Sequence, residues 1–377
     1  MVKKSVFAEA LPVKDFLHEA IYRINVGLDL TEEMAFHAFR NCLLIKDPEK
    51  RGTFMGILLN SVMAKKPTVE EVVGFIRAAL SIDKLDPLSL KRIKMPEGKK
   101  IICLAGSGKK GIKTMNISSC SAIIAASLGV CVAKTCSTST SSVTGSSDFI
   151  ETVGANIEIS NEKMIKIMKD IGLGFFKIKR QIPKFDSLYG GKFYTPHVLS
   201  FALAGLVLPF KSDCLLYGLA HPNIELSVKV FLRFGIKNAM VVTNTDNGIH
   251  FLDELGIFGT TSIIGTRNAS IGKLVNIQIA ETLKLPTYTR KDIRPAASKE
   301  ENIRLAINTL SGRGEQARED IISVNAGTLL YLAGKADNLK EGFFITKKAI
   351  KEGKSIEKLK EFVNATSGNV NSLKKYL

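Results

Sequence analysis

Apolar positions in the first 80 residues recur at helical spacing. After Thr31 they fall at Met34, Phe36, Ala38, Phe39, Cys42 and Leu43, and between Gly52 and Ala64 at Phe54, Ile57, Leu58, Val62 and Met63. A third set follows Thr68-Val-Glu-Glu71, whose Thr and Glu are spaced as a capping box, at Val72, Val73, Phe75 and Ile76. These stripes predict a small helical domain over 1–90. From Lys99 the pattern changes to short β-rich runs: Ile101–Ala105, Val130–Ala133, Phe175–Ile178, Leu215–Tyr217 and Ala239–Val242. Helical stretches separate most of them, and Gly129, Gly154 and Gly235 stand where helices should stop. Such alternation predicts an α/β domain with a mostly parallel central sheet over 91–189 and 209–377. A Pro-punctuated helical run over about 190–208 interrupts it and completes the helical domain. The last third predicts long helices: one from the capping box Ser298-Lys-Glu-Glu301, one over Asp320–Ala333 ending at Gly334, and one over Lys340–Lys351 ending near Gly353.

Composition narrows the class. With 377 residues, 45% of them hydrophobic, the chain can bury a sizeable core. Its apolar runs are too short to span a membrane, and its basic start lacks the apolar stretch of a signal peptide. The six cysteines form no Cys-x-x-Cys pair and lie mostly in apolar runs, which predicts buried free thiols in a cytoplasmic protein. A net charge of +17 favours anionic partners, whether phosphorylated metabolites or nucleic acid.

The candidate chemistry starts at Gly106-Ser-Gly-Lys-Lys-Gly-Ile-Lys-Thr-Met-Asn-Ile-Ser-Ser119, between a predicted strand and a predicted helix. Glycines let backbone N–H groups turn to a ligand, a helix start adds partial positive charge, and Lys109, Lys110 and Lys113 add full charge. Gly106, Gly108 and Gly111 match Gly-x-Gly-x-x-Gly, but the second strand ends in Lys134 where a dinucleotide fold wants an acid. Gly111-Ile-Lys-Thr114 misses the Walker pattern by one residue. Ser118 and Ser119 have two readings, as helix caps or as ligands of a phosphate or of Mg²⁺ on it. Beyond Lys134, nine of the twelve residues from Ser137 to Asp148 are Ser or Thr, a polar cradle for a sugar phosphate or else an exposed loop. Asp253 and Glu254 follow the last predicted strand; such a pair is surface charge or a Mg²⁺ site. His197 and His221 read as structural, with His197 the nearest candidate for a base.

These pieces, in this order, resemble the anthranilate phosphoribosyltransferases and, more broadly, the nucleoside phosphorylase class II / glycosyltransferase family 3 fold. Leu30-Thr-Glu-Glu-Met-Ala, Thr68-Val-Glu-Glu-Val-Val-Gly-Phe, Leu252-Asp-Glu-Leu and Ser323-Val-Asn-Ala-Gly-Thr-Leu-Leu-Tyr carry the resemblance beyond the loop. It implies a site for phosphoribosyl pyrophosphate (PRPP) at Gly106, Ser107, Gly108, Lys109, Lys110, Gly111, Thr114, Asn116, Ser118, Ser119, Lys134 and Ser146. It implies Mg²⁺ at Ser118, Asp253 and Glu254, and an acceptor side at Thr135, Ser137, Lys192 and His197. Lys109 and Lys110 stand where that family has Gly-Asp, and Thr135-Cys-Ser-Thr138 where it has His-Gly-Asn-Arg. Lys192 falls near the arginine that meets the anthranilate carboxylate. The expectation is therefore a Mg²⁺-dependent phosphoribosyltransferase with a small-molecule acceptor other than anthranilate, homodimeric through the helical domain. A non-catalytic nucleic-acid binder on the same fold is the alternative, and a nucleoside phosphorylase ranks last.

Overall fold

The computed structural model describes residues 16–108, 111–139, 143–191 and 193–377. They divide into two compact units: a helical one, up to Asp86 with Ile182–Gly191 and His197–Phe201, and an α/β one holding the rest.

The helical unit opens with α1 (Phe16–Asn25), α2 (Glu32–Leu43), α3 (Pro48–Lys65) and α4 (Val69–Ser81). Thr31 caps α2 by accepting from the Met34 amide, and the Thr68/Glu71 capping box starts α4. The third helix begins before Gly52, because Asp47 caps it and Pro48 takes its first position. Phe39 and Phe75 meet at 5.0 Å in the core. With Leu58 and Val62 also fully buried, this stripe is internal.

In the α/β unit, β1 (Ile101–Gly106) leads through α5 (Ile117–Ser127) to β2 (Cys131–Cys136), and through α6 (Ser146–Thr152) and α7 (Asn161–Ile171) to β3 (Leu173–Lys177). After α8 (Ile178–Gln181), α9 (Pro183–Tyr189) returns to the helical unit, where the Asp83 carboxylate accepts from the amides of Lys184 at 2.9 Å and Phe185 at 2.8 Å. That anchor makes the return start at Ile182 rather than near 190. It ends at Phe201, because α10 (Leu203–Leu206) packs on β1 instead. Then come β4 (Cys214–Gly218), α11 (Ile224–Arg233), β5 (Ala239–Thr245) and the strands β6 (Thr260–Arg267), β7 (Ser270–Ile271) and β8 (Val275–Ile277). The chain closes with α12 (Ile279–Leu283), α13 (Lys299–Leu310), α14 (Gln316–Ala333), α15 (Leu339–Lys351), α16 (Lys354–Ala365) and α17 (Val370–Lys374).

The sheet order is β3-β2-β1-β4-β5-β6-β7, with β8 also on β6. The first five strands are parallel, whereas β6 to β8 form an antiparallel edge that the sequence pattern did not predict. Successive connections run outward from β1 through β2 to β3, then restart on its other side at β4. The order reverses at β1, so a crevice opens beyond the carboxyl ends of β1 and β4.

Candidate functional site

That crevice holds a cavity of about 110 Å³. Gly106 and Gly218, paired in register at the ends of β1 and β4, form part of its lining. A methyl group on Gly218 would collide with the Asp253 carbonyl, and one on Gly106 would lie 3.0 Å from the Asp253 carboxylate. Glycine at both strand ends is what lets the acidic turn cross over them.

The acidic turn itself is buried. Asp253 and Glu254 each keep 6% of their exposure, and both line the cavity. Asp253 Oδ2 accepts from the Gly108 amide at 2.9 Å and from the Ser107 hydroxyl at 3.4 Å. Ser107 Oγ in turn accepts from the Ala220 amide at 3.1 Å. The carboxylate thus ties the glycine loop down. The turn is fastened at both ends: Leu252 exchanges backbone hydrogen bonds with Asn244 on β5 at 2.8 and 3.0 Å, and Leu255 is held by the Asn325 side chain of α14.

Opposite stands the N-terminus of α5. The helix starts at Ile117, so Asn116 is the N-cap position and Ser118 and Ser119 lie in the first turn. The serines are not the caps; they line the cavity beside first-turn amides that have no partner within the helix. Asn116 donates to the Thr144 carbonyl at 3.0 Å, and the Thr144 hydroxyl accepts from Asn302 of α13 at 3.3 Å. Asn116 Oδ1 and Ser119 Oγ are buried without a hydrogen-bond partner among the described residues. Such orphans carry a desolvation cost that a polar ligand removes.

Lys134 lies inside β2 rather than at its end, because the strand runs on to Cys136. Its ammonium donates to the Thr135 carbonyl at 3.0 Å. Burial pushes its pKa down, while Cys136, Glu254 and Asp253 act to raise it. An anion arriving in the cavity would favour the charged form.

The cavity therefore gathers Gly106, Gly108, Thr114, Asn116, Ser118, Ser119, Lys134, Thr135, Ser137, Ser146, Asp253 and Glu254. Ser107 supports the loop from behind. Gly111 does not line the cavity: its amide donates to the Phe251 carbonyl at 3.0 Å. His197 belongs to the helical unit, buried, with Nε2 2.6 Å from the Tyr189 hydroxyl. His221 Nδ1 accepts from the Asn223 amide at 3.1 Å, a local turn contact. Lys109, Lys110 and Lys192 lie outside the described residues. The sequence reading missed Gly218, Asn302 and Asn325. Asn325 had a signal, as an amide in the middle of the uncharged and mostly apolar run from Ile321 to Ala333.

Comparison with known proteins places the chain in a family. The family model described as glycosyl transferase family, a/b domain, matches residues 98–356. The chain is 27% identical over 334 residues to the anthranilate phosphoribosyltransferase of Methanothermobacter marburgensis, covering 86% of this chain and 92% of that one. It is 29% identical over 355 residues to the enzyme of that name from Pyrobaculum arsenaticum, covering 93% and 99%. Among solved structures, anthranilate phosphoribosyltransferase from Thermus thermophilus superposes with a TM-score of 0.73 at 22% identity, covering 92% of this chain and 99% of that one. The Saccharomyces cerevisiae enzyme in complex with PRPP and Mg does so with a TM-score of 0.73 at 19% identity, covering 93% and 98%. At these identities the superpositions speak for the fold.

Proposed function

Since the chain belongs to the glycosyl transferase family, a/b domain, we propose that it is a Mg²⁺-dependent phosphoribosyltransferase. It would move phosphoribosyl from PRPP to a small-molecule acceptor other than anthranilate and release pyrophosphate. One observation carries the reading: a single crevice joins a helix N-terminus, a buried lysine and two adjacent buried carboxylates.

The donor set suits Mg²⁺. Asp253 and Glu254 supply carboxylate oxygens to the cavity that Ser118 also lines, hard donors without a thiolate or imidazole among them. A hard cation bound by one or two carboxylates completes its shell with water and substrate phosphates. Mg²⁺, when bound, offsets the charge that develops on the departing diphosphate. The chain's own groups do the rest. The amides at the α5 N-terminus and the Lys134 ammonium hold the diphosphate, and the hydroxyls and amides around the crevice orient the ribose. As the bond from C1 to the diphosphate loosens, these fixed dipoles meet negative charge without having to reorganise.

The acceptor reading rests on Thr135 and Ser137, which line the cavity where the family pattern has an imidazole and an amide. Short hydroxyl side chains there leave more room than an imidazole and an amide, and suit a bulkier or more polar acceptor than anthranilate. Six free, buried thiols support a cytoplasmic setting. Exposed Tyr22, Val26, Leu28 and Leu44 in the helical unit support a homodimer formed through it.

Calorimetry tests the reading. PRPP should bind wild-type protein far more tightly with Mg²⁺ than with EDTA, and Asp253→Ala should weaken that binding by at least tenfold. Pyrophosphate release measured across a panel of amine and nucleobase acceptors then identifies the acceptor. Failure of PRPP to bind at all would sink the enzyme reading, and sub-micromolar nucleic-acid binding at physiological salt would replace it. Release with anthranilate alone would overturn the acceptor reading.

A further inference from the structure

The two carboxylates at Asp253 and Glu254 are short side chains on a turn, and a turn of that kind is placed only as well as its ends are held. One end is ordinary sheet: Leu252 pairs with Asn244 on β5. The other is unusual, because a single side chain does the work of a pairing strand. Asn325 Oδ1 accepts from the Leu255 amide at 3.0 Å, and its Nδ2 donates to the Leu255 carbonyl at 2.9 Å. The same Nδ2 reaches the Ile321 carbonyl one helical turn back at 2.8 Å. The amide is thus oriented from its own helix while it grips the turn. It is buried to 5% exposure and lines the same cavity as the carboxylates.

Resting on the proposed Mg²⁺-dependent reading, we infer that Asn325 is the positioning residue for the metal-binding carboxylates. It sets where Asp253 and Glu254 point without touching metal or substrate. The chemistry of the position is narrow. A primary amide presents a donor and an acceptor at the spacing of a peptide group, so it can replace a strand partner for one residue. An ionised Asp offers only acceptors and turns them on the Leu255 carbonyl. Gln adds a methylene and pushes the turn outward, and Ala leaves two buried backbone groups unpaired. Groups behind metal ligands commonly govern affinity by 10- to 100-fold, because a ligand out of place costs binding at every encounter.

The test uses Mn²⁺ as the probe, titrated into the full chain in the presence of PRPP and followed by the paramagnetic resonance of free Mn²⁺. Asn325→Ala and Asn325→Asp are compared with wild type and with Thr328→Val. The last removes a buried hydroxyl that bonds only the Val324 carbonyl of the same helix. Melting temperatures are recorded for all four proteins. We expect both Asn325 variants to weaken Mn²⁺ about tenfold or more, while Thr328→Val loses stability and leaves Mn²⁺ affinity unchanged. If Asn325→Ala does not fold, the nearly isosteric Asn325→Asp carries the comparison. Mn²⁺ affinity in a folded Asn325 variant equal to that of Thr328→Val overturns the inference and leaves the functional reading standing. No PRPP-dependent Mn²⁺ binding in wild type overturns both.

Discussion

At Gly218 the site depends on the absence of a single methyl group. The Asp253 backbone crosses directly over this residue, so Gly218→Ala sets a Cβ onto a backbone carbonyl, and the backbone there has to shift. The expected cost is about 3 kcal/mol or more, together with displacement of the acidic turn. Gly108 is a different kind of glycine. It has φ of +65°, and a Cβ there would have nothing within 4 Å, so Gly108→Ala meets only backbone strain, about 1 kcal/mol. Urea denaturation of the two variants measures this difference, and equal losses would refute it. The contrast also explains what could be seen from sequence. Gly108 announces itself in a glycine-rich loop, whereas Gly218 ends the run Leu215–Tyr217 with no motif around it. Its role is created by a segment 35 residues further on, and close approach of distant backbone leaves no local mark. Asp253 and Glu254 read alone as surface charge or a Mg²⁺ site, and it was the resemblance of Leu252-Asp-Glu-Leu to a family pattern that singled them out. Their burial, and the tie from Asp253 to the glycine loop, came only with the fold.

Helix α4 shows how an element's start can carry more than its own stability. Thr68 caps it, and Glu71 completes the capping box by accepting from the Thr68 amide at 2.9 Å. The fully buried Glu71 carboxylate also accepts from the Leu30 amide at 2.9 Å and pairs with Lys65 at 3.0 Å. One side chain therefore joins the approach to α2, the end of α3 and the start of α4. Thr68→Ala removes one cap bond and should cost about 1 kcal/mol. Glu71→Ala strands two amides and leaves Lys65 with Asp29 as its one carboxylate partner among the described residues, and should cost about 3 kcal/mol. Thermal melts of the two variants decide it; similar losses would mean that Glu71 acts only as a cap. The capping box was readable because its spacing is local, while the bonds to Leu30 and Lys65 were not, being tertiary. The same division runs through the sheet. The parallel strands stood out as buried apolar runs between helices. The edge strands did not: in β6 only Ile263 and Ile264 break a run of Thr, Ser and Gly, and in β7 and β8 Ser270, Ile271, Val275 and Asn276 are exposed.

Across the whole molecule the six cysteines act as passive reporters of opening. Each is free and buried, and burial pushes the thiols of Cys136 and Cys214 up to about 11 and those of Cys42, Cys103 and Cys131 up to about 12. Burial raises Cys120 further still. At pH 8 the reactive thiolate is then about one part in a thousand or less, on top of steric exclusion. Native protein should leave all six unlabelled by a thiol-specific disulfide reagent over minutes, and protein in guanidinium should label all six. The same shifts fix a direction for alkaline stability. Unfolded thiols ionise near 9, folded ones only at 11 to 12, so between those limits the unfolded chain holds fewer protons. Stability from the buried thiols is complete below pH 9 and declines as pH rises through that window. Cys42 lies in the helical unit and the other five lie in the α/β unit. Labelling at increasing urea, read residue by residue by mass spectrometry, separates two modes of unfolding. We expect Cys42 to react at lower urea than the other five, because its unit has the smaller core. Simultaneous labelling of all six would instead show that the chain opens as one cooperative body.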